Sequence, residues 1–351
     1  MKKMDLPLIR SKFRGTMLGV LAGDCLGSPY EGDSPLSTGE KLVLQKSLDK
    51  LEGPSYKAPV MKYTDDSAMS KAVAESLAEK EKLSIEDLAI KFVKAYFREP
   101  HRGYGPAVVT VFQKLRGSRF SNLERPALEQ FNGRGSWGNG GAMRVAPISL
   151  FFYKDYDKMI DAATQATRLT HTNKIGVDGA LLQAAAVQQS LDLNPAEKLD
   201  EIEFINTLIN KMDNIEFDQE NLNLEDPQPF KTQLSIVKKL LSQEGNGPND
   251  EQVVTELGNN VEALYSVPTA IYCFLRGQNP IEGIQSDNPF RRSIQYAITL
   301  GGDTDTIGSM AGAIAGAYYG EENINSNLSK HLEESDTFRN LGDLLFDSVH
   351  K

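Results

Sequence analysis

Gly15, Gly19, Gly23 and Gly27 recur every fourth residue in GTMLGVLAGDCLG, and Gly308, Gly312, Gly316 and Gly320 do the same in GGDTDTIGSMAGAIAGAYYG. Glycine inside a helix costs about 1 kcal/mol relative to alanine. Eight of them at helical spacing therefore need a compensating contact. A spacing of four draws a smooth stripe along a helix, against which a second backbone can approach closely. The pattern predicts two central helices packed on each other through their glycines. If they run antiparallel, the end of the first, with Asp24 and Glu31 beyond it, falls beside Asp303 and Asp305 at the start of the second.

Elsewhere the apolar spacing is also helical. SIEDLAIKFVKAYF opens on a Ser84 cap with Asp87 three residues later, then sets Leu88, Phe92 and Tyr96 on one stripe. DKMIDAATQATRL, GALLQAAAVQQSL and TQLSIVKKLL read the same way, and period-two alternation bounded by hairpin turns is absent. The chain reads as all-α, one domain over residues 1–351, with residues 1–10 as an unordered tail. No constant-period repeat divides it. The acidic stretch from Asp192 to Pro229 reads as surface helices and an irregular excursion.

Composition narrows the partners. A net charge of −10 argues against a general nucleic-acid binder, which neutralises phosphates with Lys and Arg. Any polyanion must be held by a specific site. Cys25 and Cys273 are the only cysteines, too few for a disulfide framework, and read as small buried side chains in a reducing compartment. MKKMDLPLIRSKFRG lacks a signal-peptide apolar core, and no run of about 18 uncharged apolar residues exists to cross a membrane.

Two acidic clusters carry the chemistry. YTDDSAMS places Thr64, Asp65 and Asp66 at a helix start; GGDTDT places Asp303, Asp305 and Thr306 at another. One reading is acidic capping, since Asp suits free amides and the helix dipole. The other is a hard-cation site, because Mg²⁺ prefers carboxylate and hydroxyl oxygens and offsets their repulsion. An EF-hand fails, because Ile307 and Ile314 stand where oxygen ligands are required. Zinc and P-loop motifs are absent. A third constellation, FNGRGSWGNGGAMR, can aim backbone N–H groups at a diphosphate, with Phe131 and Trp137 available to stack on a base; a flexible turn with core aromatics is the plainer alternative. His171, between threonines, is by type more often a structural hydrogen-bonder than a ligand.

Taken in order, FRG, GDCLGSPYE, YTDDSAM, GNGGAMR, LTH and GGDTDTI resemble the ADP-ribosylglycohydrolase family, and ELGNNVEALYSVPTAIYCFLR extends the resemblance over essentially the whole chain. GSWGNGGAMR and GNNVEALYSVPTAIYCFLR are most similar to members acting on ADP-ribosylserine. The resemblance implies one compact orthogonal multi-helix domain whose cleft holds two Mg²⁺ ions. Thr64, Asp65 and Asp66 with Asp305 would hold one ion. Asp303, Asp305 and Thr306 would hold the other, with Glu31 able to join. ADP-ribose would lie with its distal ribose over the metals and its diphosphate against Gly135, Ser136, Gly138, Asn139 and Gly140. Adenine would sit between Phe131 and Trp137, where relatives commonly carry Tyr in place of Trp. Asp65, Gly103, Arg134, His171 and Val261 complete the implied contacts.

The implied reaction is hydrolysis at C1″ of the distal ribose, releasing ADP-ribose from serine, from poly(ADP-ribose) or from O-acetyl-ADP-ribose. Glu31, on the Gly/Ser/Pro-rich loop 27–37, is expected to be both general acid/base and a moving gate, with Asp303 as the alternative base. Implied partners are ADP-ribosylated proteins, with no direct DNA or membrane binding. A monomer in nucleus and cytosol, with mitochondria as a further site, is the expectation. Three rivals stay open: an ADP-ribosyl-arginine hydrolase of the same family, a catalytically silent ADP-ribose binder, and a Mg²⁺-dependent phosphohydrolase.

Overall fold

The computed structural model describes residues 5–216, 226–245 and 247–351. The chain runs α1 (Leu6–Gly27), α2 (Thr38–Leu51), α3 (Asp65–Lys80), α4 (Ile85–Arg98) and α5 (Pro106–Gly117), then short α6 (Arg125–Leu128), irregular α7 (Gln130–Gly133) and α8 (Ala146–Phe151). Next come α9 (Tyr156–Arg168), α10 (Lys174–Leu191), α11 (Glu201–Ile215), α12 (Pro229–Leu241) and α13 (Asp250–Leu257). The last part holds α14 (Ala263–Arg276), α15 (Pro289–Thr299), α16 (Thr304–Tyr319), α17 (Ser326–Ser329) and α18 (Ser335–Val349). The described residues contain no strand, only isolated β-bridges, and no helix among them is long and apolar enough to cross a membrane. The chain is a single all-α domain.

The glycine stripes meet, as their spacing predicts, and they run antiparallel. A Cβ built on Gly15 meets Gly316 O, one on Gly19 meets Gly312, one on Gly23 meets Gly308, and one on Gly27 meets Thr304 and Asp305. No side chain fits between the two backbones. Thr304 Oγ1 donates to Gly27 O at 2.9 Å and stitches the end of α1 to the start of α16. Every residue of α16 from Thr304 to Tyr318 is buried, so α16 is a core helix enclosed on every side, with its polar residues gathered near its start. It is enclosed by α1, α10, α14 and α15.

One expectation changes at the N-terminal end. α1 begins at Leu6, so residues 6–10, expected within an unordered tail, are helical, and Ile9 is buried there. Residues 1–4 lie outside the described residues. Of the acidic stretch 192–229, α11 forms as a regular helix capped by Asp200, whereas residues 217–225 lie outside the described part.

Candidate active site

The two acidic clusters belong to helix starts, but capping is mostly done by other groups. In α3 the cap is Thr64, whose side chain accepts from Asp66 N. The free amides of Thr64 and Ser67 are taken by Asp24, at 3.0 Å each. Asp24 is fully buried near the end of α1, so the glycine-packed helix fixes the start of α3 directly. Asp303 makes no side-chain cap to α16, and Asp305 Oδ1 accepts from its neighbour's amide, Thr306 N, at 2.8 Å. Asp65, Asp66, Asp303 and Asp305 are therefore left facing one another.

They line one cavity of about 360 Å³ together with Glu31, Thr64, Gly103, Ser136, Gly138, Asn139, Gly140, His171, Val261 and Thr306. Carboxylate oxygens of Glu31, Asp303 and Asp305 lie within 4.8 Å of one another. Asp66 Oδ2 accepts from Thr64 Oγ1 at 3.2 Å and from Thr306 Oγ1 at 3.4 Å, which joins the two clusters. Asp66 Oδ1 is buried with no hydrogen-bond partner.

Burial pushes Asp24 and Asp305 up to about 7, with the charge of neighbouring acids adding to it. The same causes raise Asp65 and Asp66 well above the ordinary carboxylate range. Burial, then Asp305, raises Glu31. Burial also raises Asp303, held back by the hydrogen bond from Asn139. Five carboxylates line the cavity against one cation, Arg144. That guanidinium is committed: it donates to Gly140 O at 2.6 Å, Ala166 O at 3.1 Å and Thr170 Oγ1 at 2.8 Å. A cluster of buried acids with an orphaned carboxylate oxygen and no free counter-charge fits a divalent cation held by oxygen.

The glycine loop forms the adjacent wall. Asn139 N donates to Val261 O at 2.9 Å and Ala263 N to Trp137 O at 3.1 Å, pinning the loop to the turn before α14. That turn also holds the cluster, since Asp303 N donates to Asn259 O at 2.8 Å. Asn139 Nδ2 reaches across to Asp303 Oδ2 at 2.5 Å and to Ser266 Oγ at 3.0 Å. The His171 ring lies under the loop, where a Cβ on Gly140 would meet His171 Cε1 at 2.6 Å. Thr170 Oγ1 accepts from Arg144 and shares a 2.7 Å hydrogen bond with His171 Nδ1. Burial, reinforced by Arg144, lowers His171 to about 3, which keeps it neutral.

Four expected contacts, Phe131, Arg134, Gly135 and Trp137, do not line the cavity. The ring centroids of Phe131 and Trp137 are 4.9 Å apart, tilted by 47°. The two rings touch each other in this conformation, and Phe131 is exposed. Arg134 lies over Trp137 at 5.7 Å, and Gly135, at φ +70°, fits against Thr172 and Asn173.

The loop expected to act as a gate forms a 3₁₀ turn over Ser28–Tyr30. Gly32 N donates to Gly302 O at 2.8 Å, Gly302 N to Asp33 O at 2.9 Å, and Leu36 N to Thr299 O at 3.0 Å, which places Glu31 beside the start of α16 in this conformation.

The sequence reading gave no site role to Asp24, Gln130, Met143, Arg144 or the Pro106–Val108 start of α5. An arginine inside the apolar run AMRVAPISL was the one available signal. Arg144 is buried, and desolvation lowers its guanidinium to about 9.

The ADP-ribosylglycohydrolase family model matches residues 5–351. The chain is 41% identical to ADP-ribosylhydrolase ARH3 of Mus musculus over 97% of this chain and 91% of that protein. It is 43% identical to ADP-ribosylhydrolase ARH3 of Xenopus tropicalis, over 90% and 89% respectively. A solved chain described as an ADP-ribosylglycohydrolase-related protein complex superposes with a TM-score of 0.69, covering 98% of this chain and 99% of that one. At 21% identity it speaks for the fold alone.

Proposed function

The chain belongs to the ADP-ribosylglycohydrolase family, and from that premise we propose that it is a Mg²⁺-dependent hydrolase removing ADP-ribose from O-linked ADP-ribosylserine on proteins. Poly(ADP-ribose) and O-acetyl-ADP-ribose are further substrates in this reading. The observation that carries it is the convergence of Glu31, Asp65, Asp66, Asp303 and Asp305 on one cavity walled by the Ser136–Gly140 loop. The relatives named ADP-ribosylhydrolase support the bond type.

In the reaction, water adds its oxygen to C1″, the bond from C1″ to the substrate oxygen breaks, and a proton goes to the departing oxygen. Two Mg²⁺ ions, held by Thr64, Asp65, Asp66, Asp303, Asp305 and Thr306, would orient the ribose hydroxyls and acidify a water. Glu31 is the exposed member of its carboxylate group, and burial beside Asp305 raises its pKa, which suits it to move a proton at the scissile oxygen. Asn139 holds Asp303 in place, and backbone N–H groups of the glycine loop, supported from below by neutral His171, receive the diphosphate.

The test is release of free ADP-ribose from a serine-ADP-ribosylated peptide, with Mg²⁺ and with EDTA, for wild type and Asp305→Ala. Release that needs both metal and Asp305 supports the reading. Cleavage of an arginine-linked substrate alone would reject the serine specificity. ADP-ribose binding without release from either would leave a binding protein.

A further inference from the structure

Arg144 stands in the cavity wall among the acids, is only 2% exposed, and has no part in the reaction described above. A buried guanidinium is costly unless its hydrogen bonds are made, so the destinations of those bonds show what it holds. They reach three segments. Nη1 donates to Gly140 O at 2.6 Å, at the end of the glycine loop. Nη2 donates to Ala166 O at 3.1 Å, in the last turn of α9, where a cation suits the free carbonyls and the helix dipole. Nη2 also donates to Thr170 Oγ1 at 2.8 Å, and that hydroxyl is hydrogen-bonded to His171 Nδ1.

The three partners surround one stretch of backbone. The His171 ring lies against Gly140, and a Cβ on Gly141 would meet Thr167 Cγ2 at 2.5 Å. Met143 N donates to Asn139 O at 3.0 Å, closing the turn between the loop and Arg144. Ser70 Oγ donates to Met143 O at 3.2 Å and ties that turn to α3, the helix that starts with Asp65 and Asp66. The guanidinium carbon lies 4.8 Å from the centroid of the Phe92 ring, which bounds it on another side. Because a peptide unit is planar, a fixed Gly140 O also fixes the direction of the Gly141 N–H. One guanidinium fork therefore sets both the end of the glycine loop and, through Thr170, the ring packed against it.

We propose that Arg144 is a positioning residue for the diphosphate of ADP-ribose, acting through Gly140 and Thr170 to shape the glycine loop that receives the anion. This rests on the hydrolase reading above. The shaping needs the planar fork, which a lysine does not reproduce. The positive charge has a separate consequence that lysine keeps. Asp65 is the acid whose charge acts on Arg144 across the wall. By the same attraction Arg144 offsets part of the negative field that draws a cation to the acids, so removing its charge strengthens cation binding there. Fork and charge thus act on two different ligands, and in opposite directions.

The experiment measures binding of ADP-ribose and, separately, of Mg²⁺ by calorimetry, with kcat and KM on a serine-ADP-ribosylated peptide. It compares wild type with Arg144→Lys, Arg144→Met and Thr170→Val, the last of which keeps the charge and breaks only the link to His171. The expected result is a rise of about tenfold in the ADP-ribose Kd for both Arg144 variants, as lost hydrogen bonds to a charged donor would give, and a smaller rise for Thr170→Val. KM rises with it while kcat stays within about twofold, the pattern of lost ground-state binding. Mg²⁺ binds more tightly to Arg144→Met and unchanged to the other two. A merely loosened structure would weaken both ligands. Equal weakening of both in Arg144→Met therefore overturns the proposal, as does wild-type ADP-ribose affinity in Arg144→Lys and Thr170→Val. A fall in kcat at unchanged KM also overturns it. If Arg144→Met does not fold, the Lys and Val variants decide. If wild type binds no ADP-ribose, the hydrolase reading falls and this proposal with it.

Discussion

Replacing Gly19 with alanine should destabilise the protein, although the same change in a helix with open space beside it stabilises. The new Cβ would lie 2.6 Å from Gly312 C, and closer still to Gly312 O, where ordinary van der Waals contact begins at 3.4 Å. Both the intruder and its neighbour are fixed to backbone, so α1 and α16 must part. Overpacking a rigid core costs about 1–3 kcal/mol, and a backbone clash belongs at the upper end. The better helix propensity of alanine returns about 1 kcal/mol, leaving a net loss of about 2 kcal/mol. Equilibrium urea unfolding followed by far-UV circular dichroism measures this as a lower midpoint at unchanged slope. Gly117→Ala, at the end of α5 with nothing within 4 Å, is the control and should be neutral or stabilising. Gly27→Ala adds a functional readout, because its Cβ would meet Asp305 Cα at 2.6 Å. A shift of about 1 Å at that carboxylate should cost about 100-fold in kcat. Gly19→Ala as stable as wild type would refute the close-packed glycine seam as the reason for the pattern.

Three further outcomes follow from the geometry. Asn139→Ala removes the donor on Asp303 Oδ2 and should lower kcat about 10–100-fold, the usual effect of losing a partner that orients a metal-site carboxylate; full activity would mean that Asp303 needs no such support. Mg²⁺ at about 100 times its Kd should stabilise wild type by about 2.7 kcal/mol, read as a rise in Tm that EDTA reverses and that Asp66→Asn reduces; no shift in wild type would remove the metal from this site. Glu216 is buried and accepts from Phe230 N and Lys231 N. Burial pushes its pKa from 4.5 up to about 7. The folded state then holds a proton the unfolded chain has released. Its contribution is full below about 4.5 and is lost as pH rises through 7. Glu216→Gln should flatten that part of the stability–pH curve; an unchanged curve would show that Glu216 ionises normally.

The serine at position 84, the glycine ladders and the Asp-rich helix starts were legible because each acts within a few turns of its own helix. The ladders left orientation and register open: four glycines against four would pair Gly27 with Gly308, whereas in the structure Gly27 meets Thr304 and Gly23 meets Gly308. The backbone of the turn before the glycine loop was not legible: Phe131 at φ 50° and Asn132 at φ 59° follow from no local signal. The anchoring of loop 27–37 was also hidden, because its partners, Thr299 and Gly302, lie far along the chain.

By itself, then, the sequence determined which residues could carry the chemistry and which helices had to touch, because helical period and the missing Cβ are properties of the chain at short range. Tertiary structure alone decided how those groups meet. Asp24 holds the start of α3 across 40 and 43 residues, and Asn139 holds Asp303 across 164. The meeting of Glu31, Asp65 and Asp303 in one cavity has no counterpart in any local pattern, because it exists only once helices distant in sequence have packed.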